Sequence, residues 1–228
     1  LNTFHPDALD LFQATSSLMK VANELTDPNI RIQNAQGRIS LFNPIKPQLA
    51  ARKNPEEVLE CMNGFPFVIE TKFDGERVQV HKDGNTVRLY SRNSNEVTSI
   101  YGKKIIPNIL KYVKVSKCIL DGELLVWDNI TQKFEDFGKL KTFANFDRGD
   151  QKTDADNTTG DIGSNLGKQL CYIVFDVLLV NEKIVVDLTL QQRMLLVKRC
   201  VEHTEKIIEI VEQQTASSTQ EIVAALDT

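Results

Sequence analysis

Between Arg77 and Arg92 apolar and polar residues alternate on both sides of Asp83-Gly84. A period of two flanking a two-residue turn signal directs such a stretch into a β-hairpin. Pairing Lys82 with Asn85 sets Val80 opposite Val87 and Val78 opposite Leu89, so these four share an apolar face. Arg77, Gln79, His81, Arg88, Tyr90 and Arg92 then fall on the other face, with Arg77 and Arg92 as diagonal neighbours. Further strands are expected at Ile119 to Trp127, at Thr131 to Phe137 after a turn at Asp128-Asn129, and at Cys171 to Val180. The last turns at Asn181-Glu182-Lys183 into Ile184 to Val186. From Tyr172 to Val180 the run is apolar on both faces except at Asp176, the pattern of a central strand covered on both sides. Asp176 itself, as a buried carboxylate, calls for a structural hydrogen-bond partner.

Helical spacing predicts a helix over Asp7 to Leu25, ended by Asp27-Pro28, and a short one through Cys61 behind the N-cap Asn54 and Pro55. Others are expected at about 102 to 114, from the capping box Thr189-x-x-Gln192 to about Glu202, and from Ser218-x-x-Glu221 onward. Residues 29 to 53 read as a connector and 147 to 168 as a mobile loop. The last helix lacks a stop signal and the chain opens at Leu1, so a fragment of a longer protein is expected.

A hydrophobic fraction of 41% over 228 residues excludes a wholly disordered, collagenous or coiled-coil chain. The net charge of −4 leaves any nucleic-acid contact to local basic groups. Cys61, Cys118, Cys171 and Cys200 show no C-x-x-C spacing and read as reduced thiols of an intracellular protein. No apolar run reaches the length of a membrane span. His5, His81 and His203 lack metal-ligand spacing, and Asp154-x-Asp156-x-Thr158 fails as a calcium loop because Gly160 falls at position seven and Asn165 at twelve. No metal site is expected from the chain's own residues.

The chemistry concentrates in Glu70-Thr71-Lys72-Phe73-Asp74-Gly75-Glu76-Arg77. If Phe65 to Lys72 is extended, Val68, Glu70 and Lys72 share a face, and Asp74-Gly75 turns the chain into the hairpin. A lysine at such a strand end can serve as a covalent nucleophile. Its ordinary pKa is about 10.4, so attack at neutral pH needs cationic neighbours or desolvation, and Arg77, Arg92 and a nucleotide-bound Mg²⁺ would push that way against Glu70 and Asp74. The plainer alternative is a strand end followed by a turn.

This stretch resembles the first motif, K-x-D-G, of the covalent nucleotidyltransferases: ATP-dependent DNA ligases, RNA ligases and mRNA capping enzymes. Other matches follow in the family's order. Tyr90-Ser91-Arg92-Asn93, Asp121-Gly122-Glu123 and Val174-Phe175-Asp176-Val177-Leu178 are similar to three later motifs, and Pro47-Gln48-Leu49-Ala50 is similar to the element preceding the first motif in eukaryotic-type DNA ligases. The wording is most similar to the ligases of non-homologous end joining.

The resemblance implies an α+β, ATP-grasp-like nucleotidyltransferase domain of antiparallel sheets with flanking helices, C-terminally truncated. Residues 1–40 would be the terminal helix and linker of a preceding DNA-binding domain, and 41–228 a partial adenylation domain. Lys72 would take AMP from ATP, with Mg²⁺ assisting. Phe175 would stack on adenine, with a core phenylalanine as the alternative, and Glu123 would accept from a ribose hydroxyl. Arg77 and Arg92 would hold ribose and phosphate oxygens, and Glu70 and Thr71 would lie near the nucleotide. The partner implied is nicked or broken double-stranded DNA in a nucleus, with a coiled-coil end-joining scaffold attached outside this fragment. Two departures stand out: Ser94 occupies a position where the end-joining pattern has glycine, and nothing after Ile222 resembles the family's later glutamate and lysine motifs. An RNA ligase or capping guanylyltransferase, and a non-catalytic nucleotide-binding module, are the rival readings.

Overall fold

The structure, a computed structural model, describes residues 1, 3–29, 31, 39–145 and 167–226. Most of the expected loop at 147 to 168, with its rejected calcium pattern, lies outside the described residues. In chain order the elements are α1 (Ala8–Thr15), α2 (Leu18–Glu24), α3 (Pro55–Met62), β1 (Phe67–Ile69), β2 (Glu76–Asp83), β3 (Thr86–Ser91), α4 (Thr98–Tyr112) and β4 (Lys117–Asp128). There follow β5 (Lys133–Phe134), α5 (Phe137–Asn145), β6 (Lys168–Val180), β7 (Lys183–Ile184), α6 (Leu190–Cys200), β8 (Ile208–Ile210), β9 (Gln214–Ala216) and α7 (Thr219–Leu226). They fall into two units, Leu1–Pro47 with Asp74–Ile210, and Gln48–Phe73 with the chain from Val211 onward.

The first unit is an α+β sheet in the order β3-β2-β4-β6-β7, with β5 added to β4 and β8 to β6. Its pairings are antiparallel except β6 with β8, and α4, α5 and α6 pack against it. Val80, Leu89, Ile105, Ile109, Leu120 and Ile173 are fully buried between sheet and helices.

The hairpin forms with its faces sorted as alternation requires, but its register is two residues off the expected one. Asp83 pairs with Thr86, Lys82 with Val87 and Val80 with Leu89. A two-residue shift preserves the period, so the turn decides the register. Gly84, at φ +55, takes the first central position, where only glycine enters the left-handed region freely. The polar face is not solvated in its middle. Residues 39–47 of the expected connector lie along it, and Gln79, His81 and Tyr90 receive their backbone. Phe42 donates its N–H to His81 Nδ1 (2.9 Å), Ile45 donates to Gln79 Oε1 (2.9 Å), and Tyr90 Oη donates to the Phe42 carbonyl (2.9 Å). Because Nδ1 accepts, the proton of His81 sits on Nε2, 2.8 Å from Gln79 Oε1.

Other expectations shift for identifiable reasons. The single helix over Asp7 to Leu25 is two, broken where Ser16 turns left-handed at φ +50 and Ser17 caps α2 by accepting the Lys20 N–H. The strand expected through Phe137 ends at Phe134. Leu140, Phe143 and Ala144, at helical spacing, bury one side of α5 instead. The helix expected from about 102 starts at Thr98, whose Oγ1 accepts the Leu89 N–H at 2.9 Å.

The second unit pairs β1 with β9, Phe67 opposite Ala216, and brings α3 against α7. Both helices open on the caps read from the sequence. Asn54 Oδ1 accepts the Glu57 N–H while the Glu57 carboxylate accepts the Asn54 N–H, each at 2.9 Å, and Ser218 Oγ accepts the Glu221 N–H. Strands β8 and β9, three residues each, were not expected. Among the described residues no helix is long and apolar enough to cross a membrane, and all four cysteines are free.

Burial pushes the His81 imidazole down to about 3 from an ordinary 6.5. The unfolded chain therefore binds a proton below pH 6.5 that the folded chain refuses, so stability present above pH 6.5 is lost as pH falls towards 3, by about 1.4 kcal/mol per pH unit. Urea unfolding of wild type and His81→Gln should show the wild-type advantage narrowing by about 2 kcal/mol between about pH 6.5 and pH 5. A pH-independent difference would mean that His81 titrates normally in the fold.

Candidate active site

Two glycines set the spacing of the three central strands. A Cβ on Gly75 would lie 2.9 Å from Leu125 Cγ and closer still to the Leu124 carbonyl. One on Gly122 would lie 2.5 Å from the Ile173 carbonyl and 2.6 Å from the Tyr172 ring. Gly75 is thus required by backbone approach, and the chain entering β2 closes onto β4 as β6 does. Tyr172 fills the remaining depth, fully buried, its hydroxyl donating to the Val78 carbonyl at 2.8 Å.

Against that spacing β6 bulges. Leu120 pairs with Val177, Asp121 with Asp176, and Gly122 with Val174, so Phe175 has no residue opposite it. A bulge re-aims its extra side chain and interrupts alternation. Phe175 is accordingly half-buried, while Tyr172, Ile173 and Val174 before it are closed off. The Arg77 guanidinium lies 5.2 Å from its ring centroid. Phe175 is thus less closed off than the three residues before it in β6.

Arg77 is the junction of the site. Its Nε and Nη2 donate to Asp121 Oδ1 and Oδ2 at 3.1 and 2.7 Å, a fork-on-carboxylate geometry that fixes the guanidinium plane. Burial holds the Asp121 carboxyl above the ordinary carboxylate range, and the Arg77 hydrogen bonds offset only part of that rise. Asp176, opposite Asp121 in register, has its own arginine: Arg193 Nε and Nη2 donate to it at 2.7 and 3.0 Å. This meets the expectation of a structural partner for Asp176, supplied by α6. Glu123 pairs with Arg77 in the β2–β4 register, and its Oε1 accepts the Gly75 N–H at 3.2 Å.

Ile45, Pro47, Arg77, Gln79, Tyr90, Ser91, Arg92 and Asp121 line an open cleft of about 160 Å³. The cleft is shallow and open to solvent, and most of its lining residues are polar. Arg92 is not a strand neighbour of Arg77 as expected, because β3 ends at Ser91 and Arg92 sits in the turn that follows. It is exposed and has no hydrogen-bond or ion-pair partner among the described residues. One arginine is therefore neutralised and positioned while the other offers an open cation. Ser94 closes the same turn at φ +63, a conformation glycine adopts without strain.

Glu70, Thr71 and Lys72 belong to the second unit, and all three are exposed. Glu70 Oε1 accepts from Gln213 Nε2 at 2.6 Å, and Lys72 has no hydrogen-bond or ion-pair partner among the described residues. Sequence reasoning missed Asp121, Gln79, Tyr90 and Ile45 as lining residues. Asp121 had a signal, since an aspartate inside an apolar strand needs a cation, but its partner lies 44 positions away. No three His, Cys, Asp or Glu side chains gather as a metal site among the described residues. The Asp121 and Asp176 carboxylates are already engaged by Arg77 and Arg193, so these residues do not fit a protein-held Mg²⁺.

The architecture is that of an α+β domain, an antiparallel sheet with flanking helices. Residues 47–228 match the model of the ATP dependent DNA ligase domain, and the chain belongs to that family. Its whole length is 43% identical to 23% of DNA ligase 4 from Dictyostelium discoideum, and 99% of it is 34% identical to 24% of DNA ligase 4 from Homo sapiens. The chain thus spans about a quarter of the curated relatives it matches. Among solved structures it is similar to the ligase domain of M. tuberculosis LigD, at TM-score 0.47 and 17% identity over 71% of this chain and 44% of that one.

Replacing Asp121 by Asn keeps the shape but removes the charge that Arg77 is held by. Charge-assisted hydrogen bonds of this kind are worth about 1.5–3 kcal/mol, so unfolding in urea should show a loss of about that size. A loss below about 0.5 kcal/mol would mean the pair is solvent-screened and does not fix Arg77.

Proposed function

We propose that the chain is the adenylation part of an ATP-dependent DNA ligase of non-homologous end joining. The observation that carries this reading is the pairing of a positioned arginine, Arg77 over Phe175, with the open cation Arg92 in one cleft, in a chain of the ligase-domain family. A nucleotide needs an aromatic face for its base and cations for its phosphate; Arg77 lies over the Phe175 ring and also lines the cleft with Arg92.

In this reading ATP is a substrate. Phe175 stacks on the base, Glu123 takes a ribose hydroxyl, and Arg77 and Arg92 hold ribose and phosphate oxygens, with Glu70 and Thr71 beside the nucleotide. The neutral Lys72 amine attacks the α-phosphorus, a P–N bond forms, the bond to the β-phosphate oxygen breaks with release of pyrophosphate, and the amine sheds a proton. AMP then passes to the 5′-phosphate of a nick, and the 3′-hydroxyl displaces it to seal the strand. Mg²⁺ would enter with the nucleotide. Residues 1–40 are assigned as the terminal helix and linker of a preceding DNA-binding domain and 41–228 as a partial adenylation domain. The protein works in the nucleus on nicked or broken duplex DNA, and a coiled-coil scaffold binds outside this chain.

Lys72 is exposed, so replacing it costs the fold little: Lys72→Ala should change unfolding free energy by less than about 0.5 kcal/mol yet abolish acid-labile AMP labelling of the intact enzyme. Lys72→Arg should fail equally, because guanidinium stays protonated. Labelled AMP persisting on either variant moves the nucleophile elsewhere.

Stacking on a base is worth about 1–3 kcal/mol, so Phe175→Ala should raise the ATP concentration for half-maximal labelling about tenfold, with Phe175→Tyr within about threefold. Equal values for wild type and folded Phe175→Ala remove the ring from the site.

A further inference from the structure

The last turn of α1 reaches both sides of the cleft. Lys46, between the lining residues Ile45 and Pro47, donates its N–H to the Gln13 carbonyl at 3.0 Å, and its ammonium lies 5.5 Å over the Phe12 ring. Across the cleft, Ser16 Oγ lies 3.0 Å from Ser94 Oγ, in the turn that carries Arg92. The helix is itself anchored: Ala14 is buried in a cluster with Ile39, Ile119 of β4 and Leu179 of β6.

The two serines face each other under an unusual constraint. Ser16 ends α1 at φ +50 and Ser94 closes its turn at φ +63, both in the left-handed region that a side chain disfavours. Such conformations persist where the surroundings over-determine them. The Ser16 N–H donates to the Phe12 carbonyl at 2.7 Å, the Ser94 N–H to the Ser91 carbonyl at 2.9 Å, and the Ser91 N–H to the Asn95 carbonyl at 2.8 Å. Only the bond between the two hydroxyls joins the helix end to the turn among these contacts.

We infer that the last turn of α1 is a positioning element for the cleft. The Ser16–Ser94 bond sets the turn of Arg92, the Gln13–Lys46 bond sets the facing wall, and displacement of the N-terminal segment is thereby felt by the group that holds phosphate. Ser16 and Ser94 are positioning residues, acting through Arg92. The inference rests on the nucleotide role proposed for Arg92, so its test has one readout that does not depend on that role.

The variants are Ser16→Ala, Ser94→Ala, the double variant, and Ser94→Asn, which tolerates the left-handed region and keeps a polar group towards Ser16. In the intact protein, Ser16→Ala should speed hydrogen exchange of the Ser91 and Ser94 amides about three- to tenfold, the factor that one neutral hydrogen bond represents. Each alanine variant should raise the KM for ATP in lysyl-AMP formation by a similar factor, with the rate at saturating ATP within about twofold of wild type. The double variant should be no worse than either single one, and Ser94→Asn should restore the wild-type KM. Unchanged amide exchange in Ser16→Ala overturns the coupling, as do additive KM effects. If wild type forms no lysyl-AMP at all, the proposed function fails, and the exchange measurement alone still decides whether α1 holds the turn.

Discussion

Everything around the site depends on how closely β6 approaches β4 at Gly122. With a hydrogen in place of a side chain, the Ile173 carbonyl and the Tyr172 ring occupy the space where a Cβ would be, and Tyr172 reaches through to the backbone of β2. Holding the strands this tightly on one side of residue 122 while β6 carries an extra residue on the other produces the bulge at Phe175. The ring that a continuous ladder would have left in the alternating pattern instead meets Arg77. An alanine at 122 would meet backbone atoms that cannot swing aside, so the fold and the site share a constraint that one methyl group would break.

The two carboxylates beside that constraint are both paired. Asp121 and Asp176 face each other in register, a repulsive juxtaposition in a low-dielectric setting, and each is matched by a forked arginine. His81 is held neutral where the connector crosses the hairpin, and Gln79 turns its amide to the same backbone. Among the described residues Arg92 and Lys72, like several other exposed lysines and arginines, have no hydrogen-bond or ion-pair partner. An exposed cation without a partner contributes nothing to folding, which is the physical reason to look for its use in binding an anion or, for an amine, in attack.

Much of this was legible in the sequence, and the misses are of specific kinds. Alternation sorted Val78, Val80, Val87 and Leu89 from Arg77, Gln79 and His81, because facing depends only on parity. It could not fix the register, since a two-residue slip leaves parity unchanged and the φ of Gly84 decides. The caps at Asn54, Thr189 and Ser218 were readable because they are local. The bulge was not, as Val174-Phe175-Asp176-Val177 is uniform in character apart from the aspartate. Nor were the partners of Asp121 and Asp176, which topology brings in from 44 and 17 residues away. Burial of Gln79 and His81 was hidden for a similar reason: a polar face covered by a connector reads like one covered by water. The candidate nucleophile itself was marked by resemblance, while the residues that shape the cleft emerged only from the fold.

A crystal structure of the protein with AMP bound tests the central claim most directly, that a bulged aromatic ring and two arginines of different character together make the nucleotide pocket. The base is expected stacked on Phe175, with the ribose beside Glu123 and Arg77 and the phosphate at Arg92. AMP bound with its base away from Phe175, or with its phosphate at some other cationic group while Arg92 stays in solvent, would contradict the account.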